Sequence, residues 1–364
     1  MQIRTEKISQ IAFSLIKGMG PRAFRLIMQD FHTVSEIYDL PEAKLKEFIP
    51  RESIRKQVLN RNSFERAELE YEYCLEHGIE VLFFQDKRYP QRLNFYEASP
   101  CVLYFKGESD LNKQRVVSIV GTRDPSEHGK VTCERIVKDL IKYDCLIVSG
   151  LAYGIDVTAH KASLSSNLKT IGVTAHGLDQ LYPNDHLDIA KKMIMQGGLL
   201  TEYPTGTEMI PKLFPTRNRI VAAMSDVVIV IESARKGGSL ITAEFANEYG
   251  KDVFAIPGRP TDKRSEGCNL LIKSHKAHLY DSIKDLEYIT RWNSTPSILQ
   301  GSLFEDLSEE ELQIVNFVRH QPKVHIDVLN QHLKKQAGEL SALILNLELK
   351  GILKSLPGKR YICT

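Results

Sequence analysis

Arg115-Val-Val-Ser-Ile-Val-Gly121-Thr122-Arg123-Asp-Pro-Ser126-Glu-His-Gly129 carries the local pattern of a strand running into a loop and a helix. A run of β-branched residues ends on a glycine, and a serine able to cap a helix follows. Four more apolar runs repeat the pattern: Cys145–Ser149, Thr170–Thr174, Asp226–Ile231 and Asp252–Ile256. Glycines and amphipathic helical stretches separate them. Strands that are apolar at nearly every position are buried on both faces and therefore parallel. The expectation is an α/β protein with an extended Rossmann-like parallel sheet over residues 61–290. An earlier strand, Ile79–Phe84, and the stretch Tyr89–Gly107 should extend it at one edge.

Residues 1–60 show apolar positions at helical spacing (Ile8, Ile11, Ala12, Leu15, Ile16) and read as a small all-helical domain. A polar linker is expected over 291–302, followed by a third unit over 303–364. There Ser308-Glu-Glu-Glu311 is a capping box opening a helix with Leu312, Val315 and Val318 on one face. A second helix is expected around Asp327–Leu333, and a third carries Leu340, Leu343, Ile344 and Leu347. Gly351 stops it, and Ile352–Leu356 and Lys359–Cys363 read as a hairpin. Three helices and a hairpin make a winged-helix pattern.

The 364 residues carry 48 Lys+Arg against 46 Asp+Glu, a formal charge of +2. That balance excludes a histone-like polycation and an acidic solvating tail, but not a locally basic groove. Six cysteines lie scattered with no metal-ligand or CxxC spacing, so buried reduced thiols and no metal site are expected. No apolar run approaches the roughly 20 residues a membrane span needs, and the N-terminus lacks a signal-peptide core. The expected location is the cytoplasm, with no membrane partner.

In an open parallel sheet, ligands bind at the carboxyl ends of the strands. The loop after the first core strand offers Gly121, the hydroxyls of Thr122 and Ser126, and the planar fork of Arg123. It is neither GxGxxG nor a P-loop. After the second strand, Gly150 and Gly154 permit close backbone approach, and Asp156 and His160 lie i, i+4 on the next helix. That pair reads either as ligand contact or as structural hydrogen bonding, and no nucleophile accompanies it. Pro211-Lys212-Leu-Phe214-Pro-Thr-Arg217-Asn218-Arg219, read as a segment just before a helix, combines cations, an aromatic ring and an amide. That composition suits a single strand of nucleic acid. Arg235-Lys236-Gly-Gly238-Ser239 could cradle an anion at a helix start. Asp156, Glu232 and Glu244 form no paired-carboxylate or metal cluster, which points to holding phosphates rather than cleaving them.

Six motifs occur in order: Gly121-Thr-Arg…Ser126…Gly129, Ser149-Gly-Leu-Ala-Tyr-Gly-Ile-Asp156…Ala-His160, Gly177-Leu-Asp…Tyr182-Pro183, Phe214-Pro-Thr-Arg-Asn-Arg219, Gly238-Ser-Leu-Ile-Thr-Ala243 and Ile256-Pro-Gly258. Together, over Tyr89 to Tyr280, they resemble the DprA (Smf) family of DNA-processing proteins. The resemblance implies a single-stranded-DNA-binding protein of natural transformation. It implies protection of incoming strands and loading of RecA recombinase, with no catalytic step or cofactor, and a homodimer. Arg123 would be the main phosphate ligand. Lys212, Phe214, Arg217, Asn218 and Arg219 would line the groove. Gly121, Thr122, Ser126, Gly150, Leu151, Gly238 and Ser239 would supply backbone and hydroxyl contacts. The dimer segment would lie around Gly267–His278, through Cys268, Leu271, Ile272, His275 and Ala277. This sequence departs from the family's usual residues at Thr122 (Ser), His128 (Tyr) and His176 (a small residue).

Two stretches are open to other readings. Lys17-Gly-Met-Gly20-Pro21 is similar to a helix-hairpin-helix turn, which serves DNA, protein contact or helix packing. Gly237-Gly-Ser239 with Thr242 and Glu244 resembles the nucleotide loop of nucleoside-monophosphate phosphoribohydrolases, an alternative in which the scaffold is an enzyme. In the third unit, Glu339–Leu349 carries no cation and residues 303–364 have no net charge. Major-groove helices bring cations to phosphates, so this unit is expected to contact protein or regulate the sheet domain.

Overall fold

The computed structural model describes residues 2–292, 308–319, 324–333, 337–349, 352–356 and 358–363. The chain divides into two compact units, Met1–Trp292 and Asn293–Thr364. Most of the linker expected over 291–302, and the residues Gly351 and Pro357 of the expected turn signals, lie outside the described residues.

The first unit opens with six helices: α1 (Gln2–Ser14), α2 (Pro21–Ile27), α3 (Val34–Tyr38), α4 (Glu42–Phe48), α5 (Glu52–Leu59) and α6 (Phe64–Glu76). Nine strands then form one sheet: β1 (Glu80–Phe83), β2 (Val102–Gly107), β3 (Val116–Gly121), β4 (Leu146–Ser149), β5 (Thr170–Val173), β6 (Gly198–Thr201), β7 (Val227–Ile231), β8 (Asp252–Ala255) and β9 (His278–Leu279). Their spatial order is β1-β2-β6-β5-β4-β3-β7-β8-β9. From β6 to β9 every pairing is parallel, while β1–β2 and β2–β6 are antiparallel.

The connecting helices are α7 (Glu127–Leu140), α8 (Ile155–Ser165), α9 (Leu187–Gln196), α10 (Leu213–Met224), α11 (Gly238–Glu248), α12 (Glu266–Lys273) and α13 (Ile283–Thr290). They cover both faces, which is why the strands read as unbroken apolar runs. Val116, Val120, Leu146, Val148, Val228 and Val230 pack with Ile220–Met224 of α10 and Ala243 and Ala246 of α11. On the other face Val117, Ile119, Ile147, Ile229 and Phe254 pack with Ile136, Val137 and Leu140 of α7 and Leu286 of α13.

The helical segment read as residues 1–60 is not a separate body. Helices continue to Glu76, and Ile11, Phe13, Phe24, Val58, Ala67 and Cys74 share one buried cluster with Val81 and Phe83 of β1 and Val102 and Tyr104 of β2. A helical array of 60 residues would leave an apolar face open; the β1–β2 hairpin closes it. The turn at Gly18–Gly20 packs in this layer: Lys17 N–H donates to the Gln57 side chain at 3.1 Å and Gln57 returns a bond to the Lys17 carbonyl.

The second unit contains α14 (Glu309–Arg319), β10 (Val324–His325), α15 (Ile326–Leu333), α16 (Ala337–Leu349), β11 (Leu353–Leu356) and β12 (Arg360–Cys363). The strands form an antiparallel sheet in the order β10-β12-β11. Both bonds of the capping box are present: Ser308 N–H donates to the Glu311 carboxylate at 2.9 Å and Glu311 N–H to Ser308 Oγ at 3.2 Å. Val315, Val318, Leu340, Ile344 and Leu347 are core residues. The winged-helix architecture is as the sequence reads.

Candidate nucleic-acid interface

From β3 the chain lays down β4, β5 and β6 on one side, then returns through α10 to β7 on the other. The loops after β3 and β7 therefore diverge, and the crevice between them is where open α/β sheets bind ligands. A cleft of about 680 Å³ opens there. Gly121, Thr122 and Arg123 enter it from the end of β3, Gly150 from the β4–α8 turn, Asp156 from the first turn of α8, and Tyr182 from the loop after β5. Phe214 and Asn218 come from α10, and Gly237 and Gly238 from the start of α11.

The cleft has two chemical sides. One presents backbone and hydroxyl groups with the exposed Arg123 guanidinium. The other is apolar: Tyr182 meets Phe214 edge-on with ring centroids 5.7 Å apart, and Met209 and Pro211 extend that wall. Arg123 joins the two, its guanidinium carbon 5.9 Å from the Phe214 centroid.

The aromatic wall stands on loops held from a distance. Gln180 donates to the Thr207 carbonyl at 2.7 Å, and Gly206 N–H donates to the Asp179 carboxylate at 2.9 Å. The buried Glu70 of α6 accepts from Thr205 N–H at 3.0 Å and from the Thr205 hydroxyl, and pairs with Arg66 at 2.8 Å. Arg66 also donates to the Thr205 carbonyl at 2.6 Å.

Beneath the cleft lie Asp156 and Arg217, both buried. A Cβ at Gly150 would fall 2.3 Å from Asp156 Oδ2 and 2.6 Å from Arg217 Nη1, so only glycine fits between them. Burial pushes the Asp156 carboxyl up, opposed by the charge of Arg217; burial likewise pulls the Arg217 guanidinium down. Arg217 donates to the Val173 carbonyl. It braces the floor of the cleft and is no free phosphate ligand.

The rest of the segment follows the helix that carries it. Read as lying before a helix, Lys212–Arg219 lies almost entirely within α10, which begins at Leu213. Successive helical residues point about 100° apart, so Phe214, Arg217 and Asn218 share the cleft side and Arg219 cannot. Arg219 instead pairs with Glu202 and donates to the Ala98 carbonyl at 2.8 Å. Lys212, the residue preceding α10, is exposed beside the cleft.

Other expected contacts are spoken for. The Leu151 side chain is buried with Met193 and Leu199, and its carbonyl meets His186 Nδ1 at 3.0 Å. Ser126 caps α7 outside the cleft, its Oγ accepting from Gly129 N–H at 3.0 Å. Ser239 lines the cleft, but its hydroxyl donates to Ser233 Oγ at 2.8 Å. Asp156 and His160 do not meet as a dyad: His160 bonds Thr170 Oγ1 at 2.7 Å, and burial pulls its imidazole down to about 3. Glu244 is exposed outside the cleft wall.

Within the expected dimer segment, the five residues differ in how much surface they leave open. Cys268 and Leu271 belong to the chain's own core, and Ile272 and Ala277 pack against it. Of the five residues only His275 is exposed. Tyr182, by contrast, was not among the residues chosen from the sequence. Its signal was an aromatic in a loop at the same strand ends as Arg123.

Among the described residues no group of His, Cys, Asp and Glu could hold a metal ion, and no helix is long and apolar enough to cross a membrane. Burial pushes the Cys74, Cys101, Cys145 and Cys268 thiols up to about 12.

Residues 80–290 match the family model of DNA recombination-mediator protein A, and residues 304–359 match that of the DprA winged helix domain. Protein Smf of Synechocystis is 30% identical over 98% of both chains. DNA processing protein DprA of Bacillus subtilis is 41% identical over 54% of this chain and 67% of its own. The X-ray structure of DprA from Streptococcus pneumoniae superposes with TM-score 0.64 at 31% identity, covering 77% of this chain and 96% of that one. A structure of DNA processing protein A from Helicobacter pylori, which describes a single-stranded DNA binding mode, superposes with TM-score 0.53 at 29% identity. It covers 58% of this chain and 95% of that one.

Proposed function

The chain belongs to the DNA recombination-mediator protein A (DprA) family, and from that membership we propose that its cleft holds single-stranded DNA, in a non-catalytic DNA-processing role during natural transformation. One observation carries the reading: a free arginine, Arg123, stands against an aromatic pair, Tyr182 and Phe214, across from glycine backbone at Gly237 and Gly238. Cations and backbone amides suit phosphates, and aromatic faces suit unpaired bases of any sequence. A duplex keeps its bases stacked inside and could not use the aromatic wall.

The finer part of the proposal is that the protein protects the strand, delivers it to a RecA-type recombinase, and acts as a cytoplasmic homodimer. For the dimer, the α12–β9 edge supports contact through Leu270 and Leu279, which are 41% and 47% exposed, rather than through the buried Cys268 and Leu271. Against the phosphoribohydrolase alternative stands the position of Glu244, away from the cleft wall.

The test is a salt titration of fluorescent single-stranded and duplex oligonucleotides against the wild type and Arg123→Ala. Tighter, steeply salt-dependent binding of the single strand, largely lost in the variant, is expected. Equal affinity for both forms, or an unaffected variant, would overturn the reading. Release of free base from nucleoside monophosphates would favour the enzyme instead.

A further inference from the structure

The end of β7 carries a carboxylate that strand binding does not use. Glu232 is only 7% exposed and takes a φ of 48°, a left-handed conformation uncommon outside glycine. Its carbonyl accepts from Thr122 N–H at 2.8 Å. Its carboxylate accepts from Ser126 N–H at 2.8 Å and from the Ser126 hydroxyl. The first turn of α7 rests directly on it: a Cβ at Gly129 would lie 2.6 Å from Glu232 Cδ and 2.7 and 2.9 Å from its oxygens.

The helix start that follows the first core strand is where nucleotide-binding sheets of this kind seat a phosphate, using its free N–H groups and dipole. Here the chain brings its own anion to that place. Beyond it opens a second cleft of about 850 Å³, lined by Ser126, Gly129 and Glu232 and also by His128 and Arg259, both exposed. Without the carboxylate, that corner would offer backbone N–H groups, a hydroxyl and a cation to a phosphate.

We infer that Glu232 is a positioning and specificity residue, an internal stand-in for a phosphate group. It closes the α7 start to nucleotide phosphates and ties the loop of residues 122–126 to β7. Arg123 is thereby held over Phe214, and a strand's phosphate is left to the Arg123 side. The positioning half rests on the single-stranded-DNA reading; the stand-in half does not.

The experiment uses the full chain as wild type, Arg123→Ala, Glu232→Ala, Glu232→Gln and Arg123→Ala/Glu232→Ala. Two readouts are taken: anisotropy of a labelled oligothymidine, and Tm in inorganic phosphate against chloride at matched ionic strength. Glu232→Ala should bind the oligonucleotide about tenfold more weakly, because the loop loses two charge-assisted bonds, and Glu232→Gln should fall in between. Removing Arg123 silences the first cleft. Phosphate should then raise Tm in Arg123→Ala/Glu232→Ala and leave Arg123→Ala unchanged. A merely structural glutamate would not create phosphate affinity when removed. Wild-type strand affinity in both Glu232 variants would overturn the positioning role, and no phosphate-dependent stabilisation of the double variant would overturn the stand-in. If Glu232→Ala folds only in phosphate, that is the stand-in restored from solution. If it folds in neither buffer, Glu232→Gln decides: undiminished strand affinity there overturns the inference. A wild type that ignores single strands would sink the DNA reading while the phosphate comparison still reports on Glu232.

Discussion

The Arg123 guanidinium stands 5.9 Å from the Phe214 ring centroid, so the loop after β3 and the first turn of α10 meet over one cleft. A planar guanidinium can lie on a ring and still fork to a phosphate, whereas an ammonium is a point charge. Arg123→Lys is therefore expected to keep the salt dependence of strand binding and lose about 1 kcal/mol of affinity. Anisotropy at several chloride concentrations separates slope from intercept; an unchanged intercept would show that the ring contact does nothing for binding.

Tyr182 and Phe214 meet edge-on, and each has ring surface facing the cleft. Replacing either by alanine should cost about 1–3 kcal/mol of strand affinity, the usual worth of one stacked base. Because the rings touch, the double variant should lose less than the two singles added together. Tm should move little for Tyr182→Ala, since that side chain is 45% exposed. A loss of affinity that merely tracks unfolding would remove Tyr182 from the site.

Glu70 is 1% exposed and takes both polar hydrogens of Thr205 as well as the Arg66 guanidinium. Glu70→Ala strands those donors and should destabilise the chain by about 1–3 kcal/mol in urea unfolding. It should also weaken strand binding at temperatures where the variant is folded, because residues 205–214 carry Phe214. Full affinity in the folded variant would show that the loop holds its shape alone.

Burial pulls the His160 imidazole from 6.5 to about 3, so the folded protein keeps it neutral where the unfolded chain would protonate it. The unfolded state then binds the extra proton, and stability falls as pH drops from about 6.5 towards 3. His160→Gln, which can still meet Thr170, should flatten the decline in Tm between pH 7 and pH 5. An equally steep decline in the variant would assign the acid sensitivity elsewhere.

On α16, Glu339, Ser341, Leu345 and Asn346 are exposed and no cation accompanies them. Removing residues 293–364 should change single-strand affinity less than about threefold, there being no phosphate neutralisation to lose from that helix. Gel retardation of a short duplex by the detached unit at physiological salt would contradict this.

The five core strands were legible because helices cover both their faces, leaving unbroken apolar runs such as Val227–Ile231. Gly198–Thr201 carries no such signal: the second of two consecutive glycines opens a four-residue strand with no β-branched run, and its place beside β2 is set by tertiary pairing. In the cleft, Arg123, Phe214, Asn218 and Gly238 were readable as chemistry at strand ends. Arg217 faces the cleft but is buried against the Val173 carbonyl, and Arg219 points elsewhere for a different reason. A stretch taken as loop is helix, and a helix sends neighbouring residues in different directions. Glu70 and Glu232 were illegible as partners of the cleft loops because each acts across more than 100 residues of chain.

The bond from Glu70 to Thr205 sets a boundary on what can be swapped between relatives. A chimera that replaces the helical layer alone would keep every residue of the cleft and yet cut the tie that holds its aromatic wall. The transplantable module is not the sheet domain as a sequence comparison would outline it. It is the sheet together with α6, and grafts cut at residue 80 should fare worse than grafts that carry Arg66, Glu70 and Thr205 as one inheritance.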